Sequence, residues 1–475
     1  MKAYCFFSVH EALFAKVAQR LRDFGVTELS GFVWGKQQAA ALADLRIPER
    51  ELVIFTRDLL PVADDGAQPD VAWLAQRERE LGISIQRMLA SERHLLAGRT
   101  HAEILRMAEV ALRSIAAALD EQRPDFLFSE DVSCFHSYVH FVLARERGIP
   151  FWSIGSGRLP YRLAVYSAGM QHWERVEQRY PELLARGLTA DERTAAQAYV
   201  TEFRDRPARP DGMNTRAQRP GMTRADLATF RIAASRFFGD PDDPTMLSPW
   251  RVLGRRVRRI ARQRAAEAMW DEPVPGERYV LYPIHYQPEA STLVQAPMYV
   301  DQLALLQDLS KSLPVGLRLY VKEHVTNRGR RPLEFYRAIR ALPNARLLGP
   351  DQDTFALIRE ASVIAVITGT AGWEGLLFDK PVITFGDVFF NLIGSVQRGR
   401  EVPKDGWYAM VQRALTQHVP DPEAVLVLIS AMQQSSYPGF IANSTSFPEV
   451  LAPANVENVS MALVRELGLD RGVAR

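Results

Sequence analysis

Apolar positions along the chain fall into two alternating patterns, short unbroken runs and stretches with apolar residues at three- and four-residue spacing. The first is the signature of strands buried on both faces of a parallel sheet, the second that of amphipathic helices. KAYCFFSV predicts a strand and HEALFAKVAQRLRDFG a helix, and SGFVWG with KQQAAALADL repeats the pair. Residues 70–121 read as long helices, DFLFSE as a buried strand, VSCFHSYVHFVLARERG as a helix ending at Gly148, and IPFWSIGSG as the next strand and its loop. From Arg278 the alternation resumes. The runs RYVLYPIHY, LRLYVKEH, ARLLG, VIAVIT and PVITFG predict strands, with helices YVDQLALLQDLSKSLP, LEFYRAIRALP, DTFALIREAS and WEGLLFD between them. Residues 181–275, rich in Arg and without a clear strand, predict a helical connector, and the last 70 residues read as helical. The pattern therefore predicts an α/β protein with two Rossmann-like wound parallel sheets, at 1–180 and 276–400, a helical Arg-rich connector at 181–275 and C-terminal helices over 401–475.

The composition agrees with two soluble cores: 475 residues, 47% apolar and 24% charged, exceed what one ordinary core encloses. A formal net charge of +2 argues against a chain built to neutralise nucleic-acid phosphates. Two cysteines, Cys5 and Cys134, are too few for a disulfide framework or a zinc site and predict a reducing compartment. The first apolar run is interrupted by His10 and Glu11, unlike a signal peptide, and no run is long enough to span a membrane, so the expected location is cytoplasmic. Positive charge is concentrated in RVLGRRVRRIARQR, residues 251–264, with seven Arg and no acid. This reads as an anchor on anionic lipid, as a contact for an acidic polymer, or as a solvated helix face joining two domains.

Wound sheets bind ligands beyond the carboxyl ends of their strands. TGTAG, residues 368–372, lies at such an end, where small residues let backbone N–H groups approach a ligand and the next helix presents its positive pole. Thr368, Gly369, Thr370 and Gly372 are accordingly candidates for a phosphate loop. Glu374, one turn on, reads as an acceptor for ribose hydroxyls or as a complement to the helix dipole. In LRLYVKEH, Lys322 and His324 are two apart and point the same way, while Glu323 points to the other face. His285, Gln287 and Glu289 follow a third strand in HYQPE. Polar loops after three strands of one sheet predict a nucleotide cleft.

The ordered series YPIHYQPEAS, DQ at 301–302, YVKEH and TGTAGWEGLLFDKPVITFG resembles the capsule polysaccharide synthesis proteins over residues 279–391. That family includes bacterial transferases that use CMP-Kdo and is similar in layout to bacterial sialyltransferases of the two-domain GT-B architecture. The resemblance implies that Lys322 and His324 stand at the family's Lys-x-His-Pro element, with Val325 in place of Pro. It places Thr368 and Thr370 in the hydroxyl-rich phosphate loop, where TGT replaces a run of serines. The N-terminal third resembles the family in layout and in FSED.

A GT-B enzyme holds the acceptor on its first domain and the activated donor on its second. Transfer needs a carboxylate near the oxocarbenium-like centre and positive groups at the departing phosphate. Glu130 and Asp131, after DFLFS, are the candidate catalytic carboxylates, although Asp131 reads equally as the cap of the next helix. His10 is a rim candidate or a helix-entry histidine, and Arg158, in GSGRLPYR, a carboxylate binder. DPDDP at 240–244 reads as a turn rather than a metal site, and Asp353 of DQD as a helix N-cap. No metal-ligand spacing is present.

The expectation is thus a metal-independent GT-B glycosyltransferase of capsule or surface polysaccharide, with no cofactor beyond its nucleotide-sugar donor. The donor would be a CMP-activated acidic sugar such as Kdo, and the acceptor a glycan or glycolipid. Contact with the anionic inner membrane is a further expected partnership, and nucleic acid is not. Two alternatives share these features. One is a UDP- or GDP-sugar transferase or epimerase, the other a non-catalytic polysaccharide-binding or export accessory protein.

Overall fold

The computed structural model describes residues 1–93, 95–167, 173–208 and 248–472, together with 230, 231, 234, 235 and 238. DPDDP lies outside the described residues. Two wound sheets carry the chain. The first contains β1 (Lys2–Phe6), β2 (Glu28–Val33), β3 (Leu52–Ile54), β4 (Phe126–Ser129), β5 (Phe151–Ser156) and β6 (Arg162–Tyr166). The second contains β7 (Tyr279–Pro283), β8 (Arg318–Lys322), β9 (Ala345–Leu348), β10 (Val363–Val366), β11 (Val382–Thr384) and β12 (Gln397–Arg398). A last strand, β13 (Tyr437–Pro438), returns to the edge of the first sheet.

Strand order in the second sheet is β12-β11-β10-β7-β8-β9, and every pairing is parallel. The order reverses between β7 and β10. In the first sheet the order is β13-β6-β5-β4-β1-β2-β3, and the reversal falls between β1 and β4. At such a switch point two neighbouring loops diverge to opposite faces and leave a crevice. The loops after β1 and β4 carry His10 and Glu130, and those after β7 and β10 carry His285 and Thr368. Topology alone therefore assigns these residues to two crevices.

The predicted strands form because their residues are enclosed by helices on both faces. Val363–Val366 is buried throughout, as are four of the five residues of β1. Four strands depart from the sequence expectation. Leu52–Ile54, Gln397–Arg398 and Tyr437–Pro438 are too short for an apolar run to stand out, and the segment read as a loop after IPFWSIGSG turns back as β6. This β5–β6 pair is antiparallel, with Arg158 and Tyr161 in the turn at φ 57° and 50°. The C-terminal segment, expected to be helical, does form helices Trp407–Thr416, Pro422–Gln434 and Pro453–Glu466, but β13 interrupts them. The last of these helices packs against Glu11–Leu21, and Arg20 clasps Glu457 at 2.7 and 3.0 Å.

The Arg-rich segment is a helix, Pro249–Glu267, capped by Ser248. One face lies on the loop after β8, where Arg259 donates to the carbonyls of Arg328 and Thr326 at 2.8 and 3.2 Å and Arg262 to that of Arg330 at 3.3 Å. Gly329 makes this approach feasible, since it has a φ of 69° and a Cβ there would collide with the Arg259 carbonyl. Exposed positions on this helix include Arg251, Arg255, Arg258 and Arg264, together with Trp250 and Val257, which are 74% and 57% exposed.

Candidate active site

The two crevices open into one cavity of about 680 Å³, lined from both sheets. His10, Glu130, Asp131 and Arg158 enter it from the first sheet, and His285, Glu289, Lys322, His324, Thr368, Gly369 and Thr370 from the second. Eleven candidate residues from distant parts of the sequence thus converge on one place.

On the second sheet, His285 spans the switch point. Its Nε2 accepts the backbone N–H of Ile367 at 3.1 Å, which ties the loop after β7 to the end of β10. Gln302 holds the same loop, accepting from the His285 N–H at 2.8 Å and donating to its carbonyl at 3.1 Å. With Nε2 an acceptor the ring is neutral, and burial, then repulsion from His324 when it is protonated and from Arg331, hold its pKa down at about 3. His285 therefore shapes the crevice and does not bring a positive charge to a phosphate. Gly369 keeps close contact with this ring, as a Cβ there would stand 3.1 Å from His285 Cε1.

Lys322 is 5% exposed, and its Nζ donates to the carbonyls of Glu323 and Pro350, each at 3.2 Å. These carbonyls stabilise the ammonium at the end of β8. His324 Nδ1 accepts from the Thr326 N–H at 3.3 Å, so Nε2 bears the hydrogen of the neutral ring and is a donor. Glu323 turns away as expected, toward the Tyr336 hydroxyl at 2.7 Å and the Arg331 guanidinium at 3.3 Å. Gly369 is the N-cap of the helix Thr370–Leu377, which places Thr370 at the positive pole of that helix and on the cavity wall. Thr368 Oγ1 donates to the Ser291 carbonyl at 3.0 Å, closing the loop below it.

On the first sheet, Glu130 is buried at the end of β4, with His10 Nε2 at 3.4 Å from Oε2 and Ser133 Oγ donating to Oε1 at 3.3 Å. Asp131 is not the cap of the following helix. That helix is Phe135–Glu146, its N-cap is Cys134, and the N–H groups of Ser133 and Cys134 donate to Ser137 Oγ at 3.0 and 3.1 Å. Arg158 reaches into the cavity from the β5–β6 turn. Burial depresses its guanidinium pKa, while the carboxylates of Asp131, on its own sheet, and Glu289, on the other, act in the opposite sense.

Three candidates stand elsewhere. Gln287 donates to the Val300 carbonyl at 2.6 Å and does not line the cavity. Gly372 is a packing residue, since a Cβ there would press on Phe390 and Val366. Glu374 is only 3% exposed and lies beside Tyr199, whose phenol burial, chiefly, and the Glu374 charge raise to about 12. Neither expected task, at a ribose or at the helix dipole, is what its position serves. Among the described residues no group of three or more His, Cys, Asp or Glu is arranged to hold a metal ion.

The family comparison concerns the part of the chain that carries Lys322, His324 and Thr370. Residues 246–418 match the family described as capsule polysaccharide biosynthesis protein. No curated protein matches the sequence. Among solved structures, the β-Kdo 2,7-transferase KpsC of Thermosulfurimonas dismutans is 13% identical with a TM-score of 0.40, over 74% of this chain and 89% of that one. The β-Kdo 2,4-transferase KpsC of the same organism is 14% identical, TM-score 0.39, over 66% and 82%. The UDP-GlcNAc 2-epimerase of Neisseria meningitidis bound to UDP-GlcNAc is 12% identical, TM-score 0.32, over 98% and 99%.

Sequence reasoning missed several residues that complete the cavity wall. Tyr286 and Arg330 meet there, with the guanidinium donating to the phenol oxygen at 3.0 Å. Arg93 enters from a turn after the helix Ile85–Leu89, and Ile441 from the segment after β13. Tyr286 could have been found from its place in HYQPE, whereas no strand end marks Arg93 or Ile441.

Proposed function

We propose that the protein is a glycosyltransferase of capsule or surface polysaccharide synthesis. It takes an acidic sugar, of the Kdo class, from a CMP-activated donor and passes it to a glycan or glycolipid acceptor. The observation that carries this reading is the arrangement of opposite chemistries across one cavity, Lys322, His324 and the Thr370 helix pole on one sheet, Glu130 and Asp131 on the other. The match of residues 246–418 to the capsule family supports it.

In this reading the donor phosphate lies against Lys322, the His324 Nε2–H and the N–H groups at Thr370, where charge and dipole both favour an anion and stabilise it further as it departs. Arg158 binds the sugar carboxylate, a geometry that guanidinium groups suit well. Glu130 faces the sugar and acts on the acceptor hydroxyl. The first sheet holds the acceptor and the second the donor. The exposed positions of the helix Pro249–Glu267 rest on the anionic inner membrane: the Arg side chains meet lipid headgroups, and Trp250 and Val257 enter the interface as apolar contacts. An acidic polymer would gain nothing from those two exposed apolar groups. Among the described residues no helix is long and apolar enough to cross a membrane, so contact of this kind is peripheral.

Thermal-shift measurement against CMP, UDP and GDP tests the donor assignment. CMP should stabilise the protein by about 2.7 kcal/mol at a hundredfold excess over its dissociation constant. Stronger stabilisation by UDP, or by GDP, would overturn the CMP assignment.

A further inference from the structure

His10 stands just before the helix Glu11–Leu21, and its two ring nitrogens have different partners. Nδ1 lies 3.0 Å from the carbonyl oxygen of Ala442. A carbonyl only accepts, so Nδ1 carries a hydrogen. The neutral ring then has a bare lone pair at Nε2, and that atom is 3.4 Å from Glu130 Oε2. Two acceptors would face each other on the part-buried wall of the cavity, an unfavourable contact unless a proton lies between them.

The segment that imposes this tautomer is held firmly. Asn455, buried in the helix Pro453–Glu466, accepts from the Phe440 N–H at 2.9 Å and donates to the carbonyls of Phe440 and Val450 at 3.0 and 2.8 Å. Just before Phe440, β13 pairs with β6. The Ala442 carbonyl is thus positioned by the C-terminal part of the chain, and it orients a ring near the N-terminus.

We infer that His10 and Glu130 bind one proton in common, and that this pair, rather than Glu130 alone, is the proton acceptor of the cleft. The role in transfer rests on the reading proposed above; the position of the proton does not. In the transfer step the acceptor O–H bond breaks and its oxygen bonds to the anomeric carbon. The bond from that carbon to the phosphate oxygen breaks, its electron pair leaving with the phosphate. The proton moves to Glu130 and is shared with His10 Nε2, giving an imidazolium–carboxylate pair. Other charges face the pair. Arg93, Asp131 and Arg158 lie on the same side, and Glu289, Lys322 and His324 across the cavity. Beneath, on β1, Cys5 has its thiol pKa pushed up by burial and by the Glu130 charge. The segment around Ala442 contributes only backbone and the Ile441 side chain.

The test is nitrogen NMR of the full chain labelled at histidine, with His10 assigned by the signal lost in His10→Gln. The neutral ring of the unmodified protein should be the Nδ1–H tautomer. The hydrogen the ring gains on protonation should sit at Nε2, with a downfield signal as for a hydrogen bond to a carboxylate, and Glu130→Gln should shift that signal upfield. An Nε2–H tautomer of the neutral ring, or an Nε2–H signal that Glu130→Gln leaves in place, would overturn the shared proton. The tautomer is read in the unmodified protein, so a poorly folding variant does not remove the test. If no donor is turned over while the tautomer and the Glu130-dependent Nε2–H signal are both found, the transfer reading fails and the shared proton stands.

Discussion

The Nε2 atom of His285 accepts the Ile367 backbone N–H at 3.1 Å, joining two loops that diverge at the switch point of the second sheet. That bond requires an unprotonated ring, and burial with two nearby positive groups keeps the pKa at about 3. His136 and His140, packed among aromatic rings behind the first crevice, are held by burial at about 3 and about 4. In the unfolded chain each would take a proton at an ordinary value of about 6.5. Between that value and the depressed one, the unfolded state binds more protons, so stability falls as pH falls. The melting temperature should therefore be nearly constant above about pH 7 and decline progressively below about 6.5. Calorimetry across this range checks it, and His285→Gln should show a shallower acid decline. A melting temperature unchanged down to pH 5 would show that these rings protonate freely in the folded protein.

In the proposed reading Lys322 and Thr370 approach the donor phosphate from different elements, one at a strand end and one at a helix pole. Loss of one charge-assisted hydrogen bond costs roughly 1.5 to 3 kcal/mol. Lys322→Met and Thr370→Ala should each weaken CMP binding, by about ten- to a hundredfold for the lysine and less for the neutral hydroxyl. Glu130→Gln should leave CMP affinity within about twofold and lower transfer by roughly a hundredfold or more, as for other lost proton-transfer groups. Titration calorimetry and a nucleotide-release assay separate the two effects. Normal CMP binding by Lys322→Met would remove the lysine from the phosphate site.

Asp131 is one residue from Glu130, yet the two should respond differently to substitution. Because Cys134 and Ser137 form the helix start, Asp131→Asn loses no cap, and its melting temperature should stay near that of the unmodified protein. Its carboxylate balances Arg158 instead, so the substitution should leave that guanidinium less compensated and alter binding of the acidic sugar. The expected result is a raised or lowered KM for the donor at little change in stability. A large fall in melting temperature with unchanged kinetics would return Asp131 to a purely structural task.

Much of this arrangement was legible in the sequence because buried parallel strands are continuous apolar runs, and a ligand-facing loop must follow each one. That logic finds Lys322, His324, Thr368, Thr370, Glu130 and Asp131, all of which line the cavity. It fails where depth matters. Glu374 lies one turn beyond Thr370, but the helix points its tip at the cavity, so four residues further in is about 6 Å deeper, under Tyr199. It fails again where the chain returns from far away. The strand β6 is bordered by the two-residue β13 from the other end of the chain, and the carbonyl of Ala442 on His10 follows from that pairing. No periodicity within either segment announces the contact.

Two sets of arginines on the helix Pro249–Glu267 differ in their contacts, and this makes the proposed membrane contact testable. Arg259 and Arg262 are bound to the loop that carries His324 and Arg330, so their replacement would disturb the cavity as well as the surface. Arg251, Arg255 and Arg258 are exposed and flank Trp250 and Val257. Replacing these three arginines by Gln should weaken binding to vesicles containing anionic lipid, each cation near such a surface contributing about 1 kcal/mol. Turnover on a soluble acceptor should be unchanged. Binding of the unmodified protein should fall as salt rises, since the Debye length shrinks to about 8 Å at physiological ionic strength. Trp250→Ala should weaken vesicle binding further at high salt, where the apolar contact carries a larger share. An acidic polysaccharide should compete only for the arginine contribution and be indifferent to Trp250. If the triple Gln variant and the unmodified protein bind acidic vesicles equally, the exposed face of this helix is simply solvated, and the arginines that matter are the two that hold the loop.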